Sequence, residues 1–178
     1  MKMIFQAACM LLLASAAPPL RAAEKDELRI RVALTSGERS KDSSSKTTTI
    51  TVSAGTVAVE QTATGSHRGK AEAAERKQFG LDASDREKLL ALIKANELLV
   101  TDSVTLPERA PVFYFRLSIE TQAEGRRGVI HISGPRSVPE LRDKRLYQRS
   151  VALVKELYKI IHRQDKTVVF EEPLQQRP

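Results

Sequence analysis

Two runs of alternating aliphatic residues each change parity at a glycine, and this coincidence limits what the chain can fold into. In "TTTITVSAGTVAVE" (47–60), Ile50 and Val52 fall on even positions, whereas Val57 and Val59 fall on odd ones. A two-residue reversal at Ala54-Gly55 sets Val52 opposite Val57 and Ile50 opposite Val59. Residues directly opposite in an antiparallel pair share a face, so the reversal gathers all four on one side. A single strand bulged at Gly55 would repair the parity too. In "PVFYFRLSIETQAEGRRGVIHIS" (111–133), a turn at Glu124-Gly125 likewise sets Ile119 opposite Ile130 and Leu117 opposite Ile132. A longer loop with the same pairing is the other form this hairpin could take.

The remaining elements follow from periodicity. "ELRIRVALTS" (27–36) alternates with Leu28, Ile30, Val32 and Leu34 on one face and Arg29 and Arg31 on the other, as in a half-buried strand. "SDREKLLALIKAN" (84–96) predicts a helix with a Ser84–Glu87 capping box, Asp85 at the positive dipole end and a left-handed Asn96 at its close. Tyr147, Val151, Val154, Tyr158 and Ile161 recur at helical spacing, with Leu153, Leu157 and Ile160 widening the stripe. "TVVF" (167–170) reads as a short edge strand, and Ser137 with Pro139 as the start of a short helix. The expected fold is α+β. It has two layers, a mostly antiparallel sheet of about five strands and two main helices packed on one face.

Residues 1–23 have the layout of a secretory signal peptide. Lys2 precedes the apolar "MIFQAACMLLLASAA", and cleavage falls near Ala22-Ala23. The organisation expected is a leader (1–23), one domain (24–170) with mobile linkers near 36–46 and 64–80, and a flexible tail (171–178). Removing the leader takes away the single cysteine, Cys9, and with it any disulfide. It also takes Lys2 and Arg21, leaving 27 basic residues against 22 acidic ones. A surplus of this size fits an anionic partner or plain solubility, but no arm or aromatic-interleaved basic tract marks a nucleic-acid binder. The mature chain is expected to have no transmembrane span.

No hydrolase elbow, phosphate loop, dinucleotide fingerprint or zinc-protease motif occurs. His67, His131 and His162 are too scattered for a metal site, so no metal and no cofactor is expected. His162, at the end of the last helix, suits the helix dipole. Glu120 and His131 share an expected face, which reads as two ordinary solvent-facing residues before it reads as an acid–base pair. Arg136, Arg142, Arg145 and Arg149, with Lys144, form a basic cluster. It would dock a phosphate or an acidic protein patch, or simply be a solvated helix face.

The stretches "LRIRVALTSG", "GLDASDREKLLALIKANELL" and "FYFRLSIETQAEGRRGVIHIS" together resemble the organisation of emfourin-type small bacterial proteins over roughly residues 27–162. The resemblance implies strand pair, helix, strand pair, helix, and inhibition of thermolysin-type metalloproteases. It transfers no inhibitory residue. The function expected first is an exported, periplasmic or secreted, non-catalytic interaction module of the envelope, partnered by another exported protein or an anionic envelope component. Inhibition of an exported protease comes second and an unrecognised hydrolase last.

Overall fold

The computed structural model describes residues 27–38, 44–65, 74–106, 113–135, 144–168 and 170. The leader, the Ser137–Pro139 helix start, Arg136, Arg142 and the tail all lie outside them. In chain order the elements are β1 (Arg29–Glu38), β2 (Ser44–Ser53), β3 (Thr56–Thr64), β4 (Glu75–Gly80), α1 (Ala83–Ala95), β5 (Thr101–Thr105), β6 (Phe113–Ala123), β7 (Arg126–Pro135) and α2 (Arg145–Gln164). The protein is α+β, with one seven-stranded sheet in the order β4-β3-β2-β1-β6-β7-β5. Every pairing is antiparallel except β5 with β7, which is parallel.

Both hairpin registers are those set by the aliphatic pattern. Val52 pairs with Val57 and Ile50 with Val59; Leu117 pairs with Ile132 and Ile119 with Ile130. Ala54 and Gly55 have φ of 47° and 73°, and Glu124 and Gly125 have 51° and 73°. Two consecutive residues at positive φ are the signature of the type I′ turn, whose twist matches that of the flanking strands. Glycine takes this conformation freely, whereas Ala54 and Glu124 adopt it against their Cβ. The Ala54 amide is further held by Glu27 Oε1 at 3.0 Å.

Register decides burial. Ile30, Val32, Leu34, Ile50, Val52, Val57, Val59, Leu117, Ile119, Ile130 and Ile132 are all buried, in one core with Leu89 and Ile93 of α1 and the inner side of α2. The α2 stripe is the one expected, with Leu146 and Ser150 also buried. Each fully buried aliphatic side chain contributes roughly 1.5–3 kcal/mol before conformational entropy is subtracted.

The sheet is wider than the expected five strands. Segment 36–46 is strand at both ends, because Ser36 pairs with Lys46 and Glu38 with Ser44. Segment 64–80 ends in β4, which pairs with β3 from Thr56↔Gly80 to Gln61↔Glu75. Neither β4 nor β5 has more than one large apolar residue, so neither shows an alternating apolar pattern; each is a strand because a neighbour offers it a ladder. Thr167, Val168 and Phe170, by contrast, are in no strand. Val168 and Phe170 are instead buried, with the Phe170 ring stacked on Tyr158 at 3.7 Å.

Helix α1 begins two residues earlier than the capping-box pattern implies. Its N-cap is Asp82, whose carboxylate accepts from the Asp85 amide at 2.7 Å, leaving Ser84 inside the first turn. Asp85 is buried and takes Arg163 of α2 on both oxygens at 2.6 Å. At the other end Asn96 is not left-handed; Glu97 is, at φ 52°. Leu98 N–H reaches Ile93 O and Glu97 N–H reaches Lys94 O, completing a Schellman motif.

The segment after α2 folds back on β4. Lys77 Nζ donates to Asp165 Oδ2 and Thr167 Oγ1, both at 2.9 Å. The Thr167 hydroxyl, then Lys77, hold the Asp165 carboxyl at about 2, against an ordinary 3.8. His162 donates from Nε2 to Val168 O at 2.7 Å, so it clasps this segment beyond any service to the dipole.

Two outcomes follow. Ala54→Asn is expected to stabilise the protein by about 1 kcal/mol, because Asn tolerates the left-handed region; a urea midpoint at or below wild type contradicts it. A carboxyl whose folded pKa is depressed stabilises above its unfolded value and loses that contribution as pH falls. The urea-midpoint gap between wild type and Asp165→Asn is therefore expected to be full above pH 3.8 and to close towards about pH 2. A gap independent of pH would refute the clasp.

Candidate functional site

The helices cover one face of the sheet, and the other face is mostly polar, interrupted by Ala33, Ala58 and Val129. Because strand side chains alternate, the residues between the buried ones point away from the core. They are Arg29, Arg31 and Thr35 on β1; Thr47, Thr49 and Thr51 on β2; Thr56, Glu60 and Thr62 on β3; and Arg76 and Gln78 on β4. From the other half of the sheet come Arg116, Ser118, Glu120 and Gln122 on β6 and Arg127, Val129, His131 and Ser133 on β7. The registers line these residues up in rows. One row runs Gln78, Ala58, Thr51, Arg31, Glu120, Val129, Thr101; the next runs Arg76, Glu60, Thr49, Ala33, Ser118, His131, Ser103.

Charge concentrates around β1, β6 and β7. Glu120 accepts from Arg127 at 3.0 Å, with Arg31 at 4.0 Å. Glu27 accepts from Arg29 through Nε at 3.1 Å and Nη2 at 2.8 Å. Arg29 above all, against a burial penalty that raises it and with further help from the Ala54 amide, holds the Glu27 carboxyl below its usual value. These groups line a shallow recess of about 460 Å³, with Thr51, Ser53 and Gln122 completing its wall. A second shallow recess of about 300 Å³ lies across β2–β4, between Thr49, Thr56, Glu60 and Arg76. At the far end Arg116 lies 5.5 Å over the Tyr114 ring.

The expected site residues separate in space. Glu120 and His131 share the open face but not a pairing position: Glu120 pairs with Val129, and His131 with Ser118 and Ser103. No hydrogen bond among the described residues joins them, and Glu120 is engaged by arginine instead. Arg145 and Arg149 lie elsewhere, at the start of α2, and both address Glu97. Arg145 stands 3.9 Å away with 81% of its side chain exposed; Arg149 is ion-paired to Glu97 and 18% exposed. Arg149 is thus built into the packing of α2 against the end of α1. It lines a groove of about 690 Å³ with Ile93, Leu99, Val100, Lys94 and Glu124.

Among the described residues no three His, Cys, Asp or Glu side chains converge as a metal site would require, and no helix is long and apolar enough to cross a membrane. The arginines of the open face were legible as the outward partners in "ELRIRV", but their meeting with Glu120 and Arg127 depends on β1 pairing with β6, which no local pattern announces. Compared with known proteins, the chain matches no family model and no curated protein.

Exposed ion pairs contribute little to stability. Glu120→Gln and Arg127→Gln are therefore each expected to change unfolding stability by less than about 1 kcal/mol in urea titration. A larger loss would make this cluster part of the scaffold rather than a free surface.

Proposed function

We propose that the chain is an exported, non-catalytic binding module of the bacterial envelope that works through the open face of its sheet. One observation carries this reading: a seven-stranded sheet roofed by helices on one side presents, on the other, a broad polar surface with charged groups in register. Two of its carboxylates, Glu27 and Glu120, are already engaged by arginine, an arrangement suited to holding a polar partner rather than to abstracting a proton. The basic surplus of the chain, and the signal-peptide layout of residues 1–23, agree with a partner in an anionic, extracytoplasmic setting.

The test is cosedimentation of the purified exported protein with washed envelope fragments. Wild type is expected to pellet with the fragments at low salt, and Arg31→Gln/Arg127→Gln to stay largely in the supernatant at an unchanged urea midpoint. Wild type that fails to pellet, or a double variant that pellets equally, overturns the reading.

A further inference from the structure

The composition of the open face narrows the class of partner. All five cations on its described residues are arginine: Arg29, Arg31, Arg76, Arg116 and Arg127. The planar guanidinium fork matches a carboxylate in a way that the ammonium of lysine does not. The face already pairs arginine with carboxylate internally, Arg29 through Nε and Nη2 to one oxygen of Glu27 and Arg127 through a single hydrogen bond to Glu120. The Arg127–Glu120 pair is solvent-exposed, with its arginine side chain 68% exposed, so exchanging its internal carboxylate for an external one costs little.

Between the arginines the face is furnished with hydroxyls. Thr47, Thr49 and Thr51 stand in a line along β2, flanked by Thr35 and Thr56, and Ser118 and Ser133 continue the hydroxyls beyond β1. A hydroxyl both donates and accepts, so this lining suits a partner that is itself rich in hydroxyls. Three glutamates, Glu27, Glu60 and Glu120, dilute the positive charge. A nucleic acid would in addition need a series of aromatic rings on which its bases stack, and among the described residues this face offers only Tyr114, at its far end.

The apolar content excludes two other occupants. Protein interfaces are anchored by aromatic and arginine side chains seated in desolvated pockets, whereas the centre of this face is occupied by Ala33, Thr49, Thr51, Ser118 and an Arg31 whose side chain is 61% exposed, with no aromatic ring among them. Membrane surfaces are held by an inserted apolar element. Val100 is the one exposed large hydrophobic residue among the described ones, and it lies in the separate groove beside α1.

Building on the binding-module reading, we propose that the open face holds an extended acidic polysaccharide, its carboxylates on the arginines around Glu120 and its hydroxyls on the threonine ladder of β2. At about 4.8 Å per strand, the seven strands give a track of about 30 Å for such a chain.

The probe is polygalacturonate, titrated calorimetrically into the purified exported protein, with neutral dextran, phosphatidylglycerol vesicles and single-stranded DNA as comparisons. Polygalacturonate is expected to bind with an affinity that falls as salt rises, and dextran not to bind. Arg31→Gln/Arg127→Gln is expected to weaken binding by about tenfold or more with no change in urea midpoint. Thr49→Val/Thr51→Val is expected to weaken it while preserving every charge. Absence of polygalacturonate binding, equal binding by the arginine variant, or equally tight binding of vesicles or DNA overturns the inference. Envelope binding that needs Arg31 and Arg127 in a protein that ignores polygalacturonate would refute the glycan assignment and leave the binding-module reading standing. Loss of both would remove the two together.

Discussion

The cross-strand alignment of Val52 with Val57 and of Leu117 with Ile132 is the constraint from which the rest of the structure descends. A one-residue slip in either hairpin would turn its whole set of aliphatic side chains to the other face. Each register is pinned where the chain reverses, by two residues at positive φ. Once both hairpins present their aliphatic residues on the same side, β1 can pair with β2 and β6 at once, and its own Ile30, Val32 and Leu34 complete a continuous apolar surface. Helix α2, with nine buried residues, then has a floor to cover.

One-sided burial leaves two exposures to manage: the open face and the sheet edges. The edges carry recognisable guards. On β4, Lys77 points towards the core side and is held by Asp165, and Arg76 stands on the opposite side. On β5, an amide of the edge strand, that of Ser103, is taken by Asp102 Oδ1 at 2.7 Å. The open face is kept soluble by arginine–glutamate pairs and threonines. The same features that suppress pairing between sheets are those that would receive a polar, charged polymer. Buried scaffold and polar surface are therefore divided between the two sides of the same strands.

The elements that could be read from local pattern were those whose burial is periodic. Both hairpins, β1 and both helices follow from alternation or from three- and four-residue spacing. What escaped has a common physical cause. Strands β4 and β5 have one large apolar residue apiece, Phe79 and Val104, and are ordered by hydrogen bonding to β3 and β7 rather than by a hydrophobic face of their own. The caps of α1 moved for a similar reason. Asp82 takes the first turn and so leaves Asp85 to meet Arg163, a residue 78 positions away, and Glu97 accepts a left-handed conformation because Leu98 must turn into the core.

The candidate site divides along the same line. Glu120 and His131 could be placed on an outward face by parity alone, and the basic residues leading into the first turns of α2 could be seen as a cluster. The Glu124-Gly125 hairpin also sets Glu120 opposite Val129 and His131 opposite Ser118, as the structure has them, but the ion-pair partners across other strands and helices were out of reach of any local argument. Glu120 belongs with Arg31 and Arg127 because β6 lies between β1 and β7, and Arg149 is consumed by Glu97 because α1 ends beside the start of α2. The chain alone thus determined which side of each strand is dry, since parity is a property of consecutive residues. Only the tertiary structure decided which charges meet, since strand order and helix placement join residues that the sequence holds far apart.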